Sequence, residues 1–222
     1  GIVAITLNRP ESLNALSPAL FSELNQIVTE LSKQTDSVGC VILRGAGRCF
    51  SAGNDLKAVR SGVKAKEKFF QAKTIDLIEK LPQPTIASVH GHCLTGALEL
   101  AIACDLMITS ESANLADTHG KWGMVPGWGM SVRLPRRVGL LKAKEMMFTG
   151  MSINGLQAVE IGLSSQCVAD DHLKVSTLDL AESIVKNSWH TNFADKKLFL
   201  DNENHFHDAS LKMEREQSAS VA

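Results

Sequence analysis

Short runs that are apolar at almost every position, separated by helical patterns, constrain the fold of this chain most. Three of them are "GCVILRGAG" (39–47), "TIASVHG" (85–91) and "DLMITS" (105–110). A strand with one solvated face alternates apolar and polar residues, whereas a continuous apolar run has both faces buried. The runs therefore predict a sheet covered by helices, which is an α/β fold.

The segments between these runs have helical spacing and recognisable helix boundaries. In "SPALFSELNQIVTELSK" (17–33), Ser17 suits the N-cap and Pro18 the first helical position. "KEKFFQAKTIDLIEKLPQP" (66–84) predicts an amphipathic helix that Pro82 stops. Strands and helices alternate to about residue 170, and from there the pattern is helical only. We therefore expect an α/β core at 1–170 and a helical region at 171–222.

The charge balance argues against nucleic acid or a membrane as the main partner. The 222 residues carry 23 basic and 24 acidic side chains, a formal net charge of −1, whereas a nucleic-acid-binding domain is usually strongly basic. No apolar run has the roughly 20 residues needed to span a bilayer. The five cysteines are scattered without a C-x-x-C pair, which is typical of free thiols in a reducing compartment.

The stretch "GHCLTGALELAIACDLMI" (91–108) places one carboxylate, Glu99, in an otherwise apolar helical pattern. A buried carboxylate costs several kcal/mol unless it is hydrogen-bonded, paired or protonated. A capping box would need the acid three positions after Thr95, and that position is Leu98. Two explanations stay open: a buried salt bridge, most plausibly to an arginine, or a carboxyl group presented to a bound carbonyl as a general acid or base.

Two glycine-containing loops, "GRCFSAGNDLK" (47–57) and "VHGHCLTGALE" (89–99), each join a strand to a helix. Glycine permits positive φ and close approach of the backbone to a ligand. The first N–H groups of a helix have no intrahelical acceptor. Two such N–H groups that converge on one point would form an oxyanion hole, although each loop alone is also what a tight strand–helix turn requires.

Several segments together identify a resemblance to a known family. "FSAGNDLK" (50–57), "HGHCLTGALELAIACDL" (90–106) and "ADTHGKWGMVPGWGMSVRLPRRVG" (116–139) resemble the crotonase superfamily, in particular enoyl-CoA hydratases and isomerases, and "LNRPESLNAL" (7–16) also fits. The similarity runs in order from residue 1 to about 168. It implies the crotonase (ClpP-like) α/β fold of repeated ββα units, with a C-terminal helical region.

The resemblance also implies an acyl-CoA thioester as ligand and a set of contacts to it. Family members hold the thioester oxygen between two backbone N–H groups, which would be those of Asn54 and Gly96. Coenzyme A would be part of the substrate, so no separate cofactor is expected. A lysine is common in the family where this chain has Glu11, which removes one expected phosphate contact. The expected coenzyme A contacts are Glu11, Ser12, Leu13, Ala52, Asp55, Leu56 and Lys57.

Hydratases of this family use two glutamates, and this chain matches only the first. Glu99 aligns with the first, and the second would lie seven residues before Pro126, where this chain has His119. Histidine can act as an acid or a base near neutral pH, and Asp117 could orient it or act in its place. The "DTH" sequence resembles the monofunctional hydratases of plant peroxisomes and their bacterial relatives. The alternative is a hydrogen-bonded loop histidine in an inactivated site.

The expected function is addition of water to a 2-enoyl-CoA. A Δ3–Δ2 enoyl-CoA isomerase that uses Glu99 as its only base is the first alternative. A non-catalytic crotonase-fold protein that binds acyl-CoA or RNA is the second. By resemblance, we expect a homotrimer or hexamer assembled through the C-terminal helices. We also expect a cytoplasmic location, or a peroxisomal or mitochondrial one if the source is eukaryotic.

The tryptophans and the histidine pairs are two further candidate parts of the site. Trp122 and Trp128 flank the glycine turn and could wall an acyl pocket or belong to ordinary packing. The histidine pairs of the chain lack further ligands at zinc spacing, so no metal is predicted. These pairs are His90 with His92 and His205 with His207.

Overall fold

The computed structural model describes residues 1–61 and 66–202, and the following elements belong to those residues. The strands are, in chain order, β1 (Ile2–Leu7), β2 (Cys40–Gly45), β3 (Thr85–Val89), β4 (His92–Leu94), β5 (Leu106–Ser110), β6 (Asn114–Ala116), β7 (Ser152–Ile153) and β8 (Gln166–Val168). The helices are α1 (Pro18–Leu31), α2 (Leu56–Arg60), α3 (Phe70–Glu79), α4 (Gly96–Ala101), α5 (Met130–Thr149), α6 (Gly155–Glu160), α7 (Leu173–Val185) and α8 (Trp189–Asn202).

The larger sheet has five strands in the order β1-β2-β3-β5-β8, and every neighbouring pair is parallel. The three apolar runs of the sequence form β2, β3 and β5, at the centre of this sheet, and their side chains are mostly buried. Parallel strands need crossover connections, which the helices supply. The predicted α/β class, with a parallel sheet and a helical C-terminal region, is confirmed.

The predicted helix boundaries are also confirmed where the sequence signals were strong. Helix α1 begins at Pro18, and the Ser17 hydroxyl accepts a hydrogen bond from the Leu20 N–H at 3.2 Å, as an N-cap residue does. Helix α3 ends at Glu79, before Pro82. Both helices bury an apolar face, and they contact each other over the sheet.

A second, smaller sheet of β4, β6 and β7 was not predicted. Strands β4 and β6 are parallel, and β6 pairs antiparallel with β7. Each strand has only two or three residues, too few to leave a periodic signal in the sequence. The Thr95 N–H extends this sheet by donating to the Ala116 carbonyl at 2.8 Å. The sheet therefore places the start of α4 beside the segment that follows β6.

The helical region packs onto the larger sheet. Leu173 and Ala181 of α7 form one buried cluster with Ile42, Ile86 and Ile108 of the strands. In α8, the buried Lys196 ammonium donates to the Asp105 carboxylate at 2.7 Å and to the Gln83 carbonyl at 3.0 Å. The predicted region at 171–222 is described to residue 202; the remainder, including His205 and His207, lies outside the described residues.

None of the helices in 1–61 and 66–202 has the length and apolar character required to cross a membrane.

Candidate active site

The Glu99 carboxyl group lies in α4 with 1% of its surface exposed, and the backbone binds one of its oxygens. Glu99 Oε1 accepts hydrogen bonds from the N–H groups of Trp128, at 2.8 Å, and Met130, at 3.1 Å. Within the described chain, no arginine forms an ion pair with this carboxylate. The salt bridge to arginine considered from the sequence is therefore wrong, because peptide N–H groups take that place.

The surroundings of Glu99 favour its protonated form more than water does around an exposed glutamate. Burial raises the pKa of Glu99, and the N–H groups of Met130 and Trp128 and the charge of His119 oppose that rise, while Asp117 adds to it. The net direction is upward, because burial is the largest contribution. Such a carboxyl group can both accept and donate a proton closer to neutral pH than an exposed glutamate can.

His119 lies next to the Glu99 carboxyl group, and Asp117 contacts His119. His119 Nδ1 is 2.6 Å from Asp117 Oδ1, and the His119 backbone N–H donates to the same oxygen at 3.1 Å. The ring Nδ1–H therefore donates to the Asp117 carboxylate, and Nε2 faces away from Asp117. His119 Nε2 lies 3.7 Å from Glu99 Oε2. Both Asp117, 1% exposed, and His119, 8% exposed, are shielded from solvent.

The distance between Glu99 Oε2 and His119 Nε2 limits how these two side chains can interact. At 3.7 Å, the two atoms are too far apart for a direct hydrogen bond. The gap is short enough for one small polar molecule to contact both atoms at once. The structure thus brings together the three side chains that the sequence singled out, with a polar gap between Glu99 and His119.

The two glycine loops lie side by side and are joined by backbone hydrogen bonds. The Ser51 N–H donates to the His92 carbonyl at 2.9 Å, and the Leu94 N–H donates to the Ser51 carbonyl at 3.3 Å. Gly53 has φ of +96°, and a Cβ there would lie 2.6 Å from the Leu94 carbonyl oxygen and 3.6 Å from the Gly96 nitrogen. Only glycine allows this approach. Among the described residues, the N–H groups of Asn54 and Gly96 have no acceptor, so both can bind a ligand oxygen.

The Trp128 indole covers Gly96. A Cβ on Gly96 would lie 2.4 Å from the indole Cζ3, and the indole packs edge-on against the Phe21 ring, with centroids 5.0 Å apart. Trp128 therefore lies at the site, beside Glu99 and Gly96. Trp122 is 60% exposed, so its surroundings differ from those of Trp128.

The two segments predicted to contact coenzyme A are neighbours. Glu11 and Ser12 lie in a short 3-10 turn, and the Leu13 carbonyl accepts a hydrogen bond from the Ala52 N–H at 2.9 Å. Leu56 opens helix α2 and is followed by the exposed Lys57. The hydrogen bond between Ala52 and Leu13 thus joins the two segments next to the loop of Asn54.

Asp55 has a structural role that the sequence analysis did not anticipate. Its carboxylate accepts from Arg9 Nη1 at 2.9 Å and from the N–H groups of Lys57 and Ala58 at 3.1 Å each. The hydrogen bond from Arg9 is the main reason that the pKa of Asp55 is lowered. Its carboxylate caps α2, so any contact with coenzyme A would come in addition to that role.

Asn14 is a further residue that the sequence analysis missed. Its amide is fully buried; it donates to the carbonyls of Ala46 and Cys49 at 2.8 Å each and accepts from the Arg9 N–H at 2.9 Å. It ties the turn after β1 to the first glycine loop. The sequence signal for Asn14 was its polar side chain in "LNRPESLNAL" (7–16), next to residues that the fold buries.

Comparison with known proteins agrees with the geometry. The sequence profile of the enoyl-CoA hydratase/isomerase family matches residues 1–220. The chain belongs to this family. It is 35% identical over 187 residues to a peroxisomal Arabidopsis thaliana protein named probable enoyl-CoA hydratase 1, a match that covers 84% of this chain and 70% of the relative.

Solved structures of this family have the same fold. A Bacillus anthracis enoyl-CoA hydratase matches with a TM-score of 0.92 at 35% identity, covering 99% of this chain and 86% of the other. A Thermobifida fusca structure, described as an enoyl-CoA hydratase in complex with acetoacetyl-CoA, matches with a TM-score of 0.91 at 25% identity, covering 99% and 91%. The crotonase fold inferred from the sequence is confirmed.

The described residues contain no group of three or more His, Cys, Asp or Glu side chains arranged to hold a metal ion.

The free cysteines Cys40, Cys93 and Cys104 are buried, and burial raises the pKa of each thiol. They are therefore neutral small apolar groups in this fold.

Gly96→Ala tests the packing of the indole. The added methyl group would meet the indole at 2.4 Å, so Trp128 must move, and we expect the free energy of unfolding to fall by about 1–3 kcal/mol. Urea denaturation followed by tryptophan fluorescence measures it. Gly120→Ala is the matched control, because its nearest neighbour would be 3.8 Å away, and its change should stay within about 0.5 kcal/mol. Equal stability of the two variants would contradict the packing of Trp128 on Gly96.

Proposed function

We propose that this protein adds water across the double bond of a 2-enoyl-CoA thioester. The observation that carries the proposal is the pair of Glu99 Oε2 and His119 Nε2, which face each other across 3.7 Å. A single water molecule can lie within hydrogen-bond distance of both atoms, and hydration needs one group to take a proton from water and another to supply one to carbon. The buried position of both groups favours proton transfer to the substrate over exchange with solvent.

The thioester oxygen would be held by the N–H groups of Asn54 and Gly96. Nucleophilic attack at Cβ places negative charge on that oxygen, and preorganised N–H donors stabilise it; each is typically worth about 3–4 kcal/mol in the transition state. The absence of an acceptor for either N–H among the described residues supports this assignment. Gly53 supports it further, because its positive φ lets the two loops approach each other.

The proton transfers balance with the groups present. The Glu99 carboxylate takes a proton from water as the water oxygen bonds to Cβ. The enolate then collapses as Cα takes a proton from Nε2 of the His119 imidazolium, which the Asp117 carboxylate stabilises at 2.6 Å. Return of the proton from Glu99 to His119 resets the site after the 3-hydroxyacyl-CoA product forms. One molecule of water is consumed, and no cofactor besides the coenzyme A of the substrate takes part.

The surface beside Asn54 is proposed to bind coenzyme A. It is formed by Glu11, Ser12 and Leu13 from one segment and by Ala52, Asp55, Leu56 and Lys57 from the other. The Thermobifida fusca structure that shares this fold contains acetoacetyl-CoA, which supports an acyl-CoA thioester as the ligand. In this arrangement Trp128 is one wall of the acyl pocket, since its indole lies against Gly96.

The test is hydration of crotonyl-CoA, followed as loss of the ultraviolet absorption of its enone thioester. Glu99→Gln and His119→Ala should each lower kcat/KM by about 100-fold or more, because each removes one proton-transfer group. Asp117→Asn should lower it by about tenfold or more through loss of the imidazolium partner. His172→Ala, an exposed histidine on the surface, is the control and should leave kcat/KM unchanged.

The pH dependence has a defined sign. Glu99 must be ionised to accept the proton from water, so kcat/KM should fall as the pH falls through the pKa of Glu99. Because that pKa is raised, this limb should lie above the ordinary glutamate value of about 4.3.

Binding of crotonyl-CoA without any hydration would contradict the proposal. Conversion of a 3-enoyl-CoA to its 2-enoyl isomer would then identify an isomerase, and neither reaction would indicate a non-catalytic acyl-CoA-binding protein.

We also propose that the helical region assembles the chain into a homotrimer or hexamer. Val175 and Leu178, on one face of α7, and Phe199 on α8 are exposed apolar side chains in the described part of that region, and such patches are typical of subunit interfaces. Light scattering should give the mass of three or six chains. The double variant Val175→Lys and Leu178→Lys should give a lower mass, whereas Lys186→Ala, an exposed residue of the same region, should not. A monomeric wild-type protein would refute this assembly.

A further inference from the structure

The backbone N–H and C=O groups of Trp128 are both held by hydrogen bonds. Its N–H donates to Glu99 Oε1 at 2.8 Å, and its carbonyl oxygen accepts from Arg133 Nη1 at 2.7 Å. Both contacts lie in or next to the turn at 126–130, which joins the segment of His119 to α5. The two groups belong to successive peptides that meet at the Trp128 Cα, so the backbone of this one residue links the carboxylate of Glu99 to the guanidinium of Arg133.

Arg133 is itself fixed by carboxylates of another helix. Its Nε donates to Glu79 Oε1 at 2.8 Å, and its Nη2 donates to Glu79 Oε2 at 2.6 Å and to Asp76 Oδ1 at 2.7 Å. The Glu79 contacts are the bidentate fork that only a guanidinium can make. With 8% of its surface exposed, Arg133 forms a bridge from α3 to the turn.

The turn is shaped to admit this side chain. Gly129 has φ of +111°, and a Cβ at this position would lie 2.0 Å from Arg133 Nη1. Glycine is therefore required twice, once for its backbone conformation and once to leave room for the guanidinium. A turn closed around a buried arginine in this way leaves the backbone of Trp128 little freedom to reorient its N–H.

We propose that Arg133 is a positioning residue that aims the Trp128 N–H at Glu99 and so holds the Glu99 carboxylate toward His119. The inference deepens the proposed hydration, because it rests on Glu99 being the proton-transfer group. Arg133 does not touch Glu99; it acts through the backbone of Trp128. Its own charge is matched by Glu79 and Asp76 on the far side, so its influence on Glu99 comes through hydrogen-bond geometry.

The charged groups that face Glu99 stay the same when Arg133 is altered. They are His119 and Asp117, while Trp128 and Met130 contribute their N–H groups. Those N–H groups lower the pKa of Glu99. A loosened turn weakens them and leaves the burial in place, so the pKa of Glu99 should rise further.

The test is a carbon-13 NMR titration of the Glu99 side-chain carboxyl group, assigned with Glu99→Gln, in wild type and Arg133→Lys. Lysine keeps the charge but cannot contact Glu79 in a fork and the Trp128 carbonyl together. We expect the pKa of Glu99 to rise by about one and kcat for crotonyl-CoA to fall about tenfold, with KM changed less than about twofold. Arg44→Lys is the matched control: Arg44 Nε donates to Thr6 Oγ1 at 3.0 Å, and neither quantity should change.

Two outcomes would overturn the inference. One is an unchanged pKa and kcat in Arg133→Lys; the other is the same shift in Arg44→Lys. If Arg133→Lys does not fold, Glu79→Gln replaces it, because it weakens the fork and keeps the arginine, and a smaller shift in the same direction is expected. Lack of hydration by the wild type would reject the proposed function, and the titration would still decide whether Arg133 orients Glu99.

Discussion

The hydrogen bonds from the Trp128 and Met130 N–H groups to the buried carboxyl group of Glu99 hold the site together. They join α4 to the turn at 126–130, and through that turn to α5 and, by way of Arg133, to α3. They offset part of the cost of burying a carboxylate but not all of it, because the pKa of Glu99 stays raised. A carboxyl group kept at such a cost, with one oxygen bound and the other facing His119, supports the role in proton transfer that is proposed for Glu99.

The small sheet of β4, β6 and β7 makes that arrangement possible. It places the first turn of α4 against the segment of Asp117 and His119, through the Thr95 N–H and the Ala116 carbonyl. In the same first turn the Gly96 N–H, which has no acceptor within 1–61 and 66–202, lies beside the loop of Asn54 with the Trp128 indole packed over Gly96. An electrophile held by these N–H groups would therefore lie next to Glu99 and His119, the two groups proposed to transfer protons, as acid–base catalysis requires.

The sequence predicted what local patterns and family motifs can specify. Continuous apolar runs located the central strands, and Ser17 and Pro18 located the start of α1. Glu99, His119 and Asp117 were identified through motif spacing, and the structure brings them together. The two-residue β7, the ion pair of Asp55 with Arg9 and the bridge made by Arg133 were not predictable, because each depends on partners distant in the chain. The backbone N–H groups that donate to Glu99 were missed for the same reason, so an arginine was considered in their place.

The measurement that tests the central claim most directly is the free energy of unfolding of wild type and Glu99→Gln as a function of pH. The glutamine keeps an amide oxygen for the two N–H groups and cannot ionise. Because the folded-state pKa of Glu99 is raised, the wild type should lose stability relative to the variant as the pH rises from about 4.3, the unfolded value, through the folded one, by about 1.4 kcal/mol for each pKa unit. A difference that is independent of pH would show that folding does not change the pKa of Glu99, and one that favours the wild type as the pH rises would show that ionised Glu99 stabilises the fold. Either result would contradict the account.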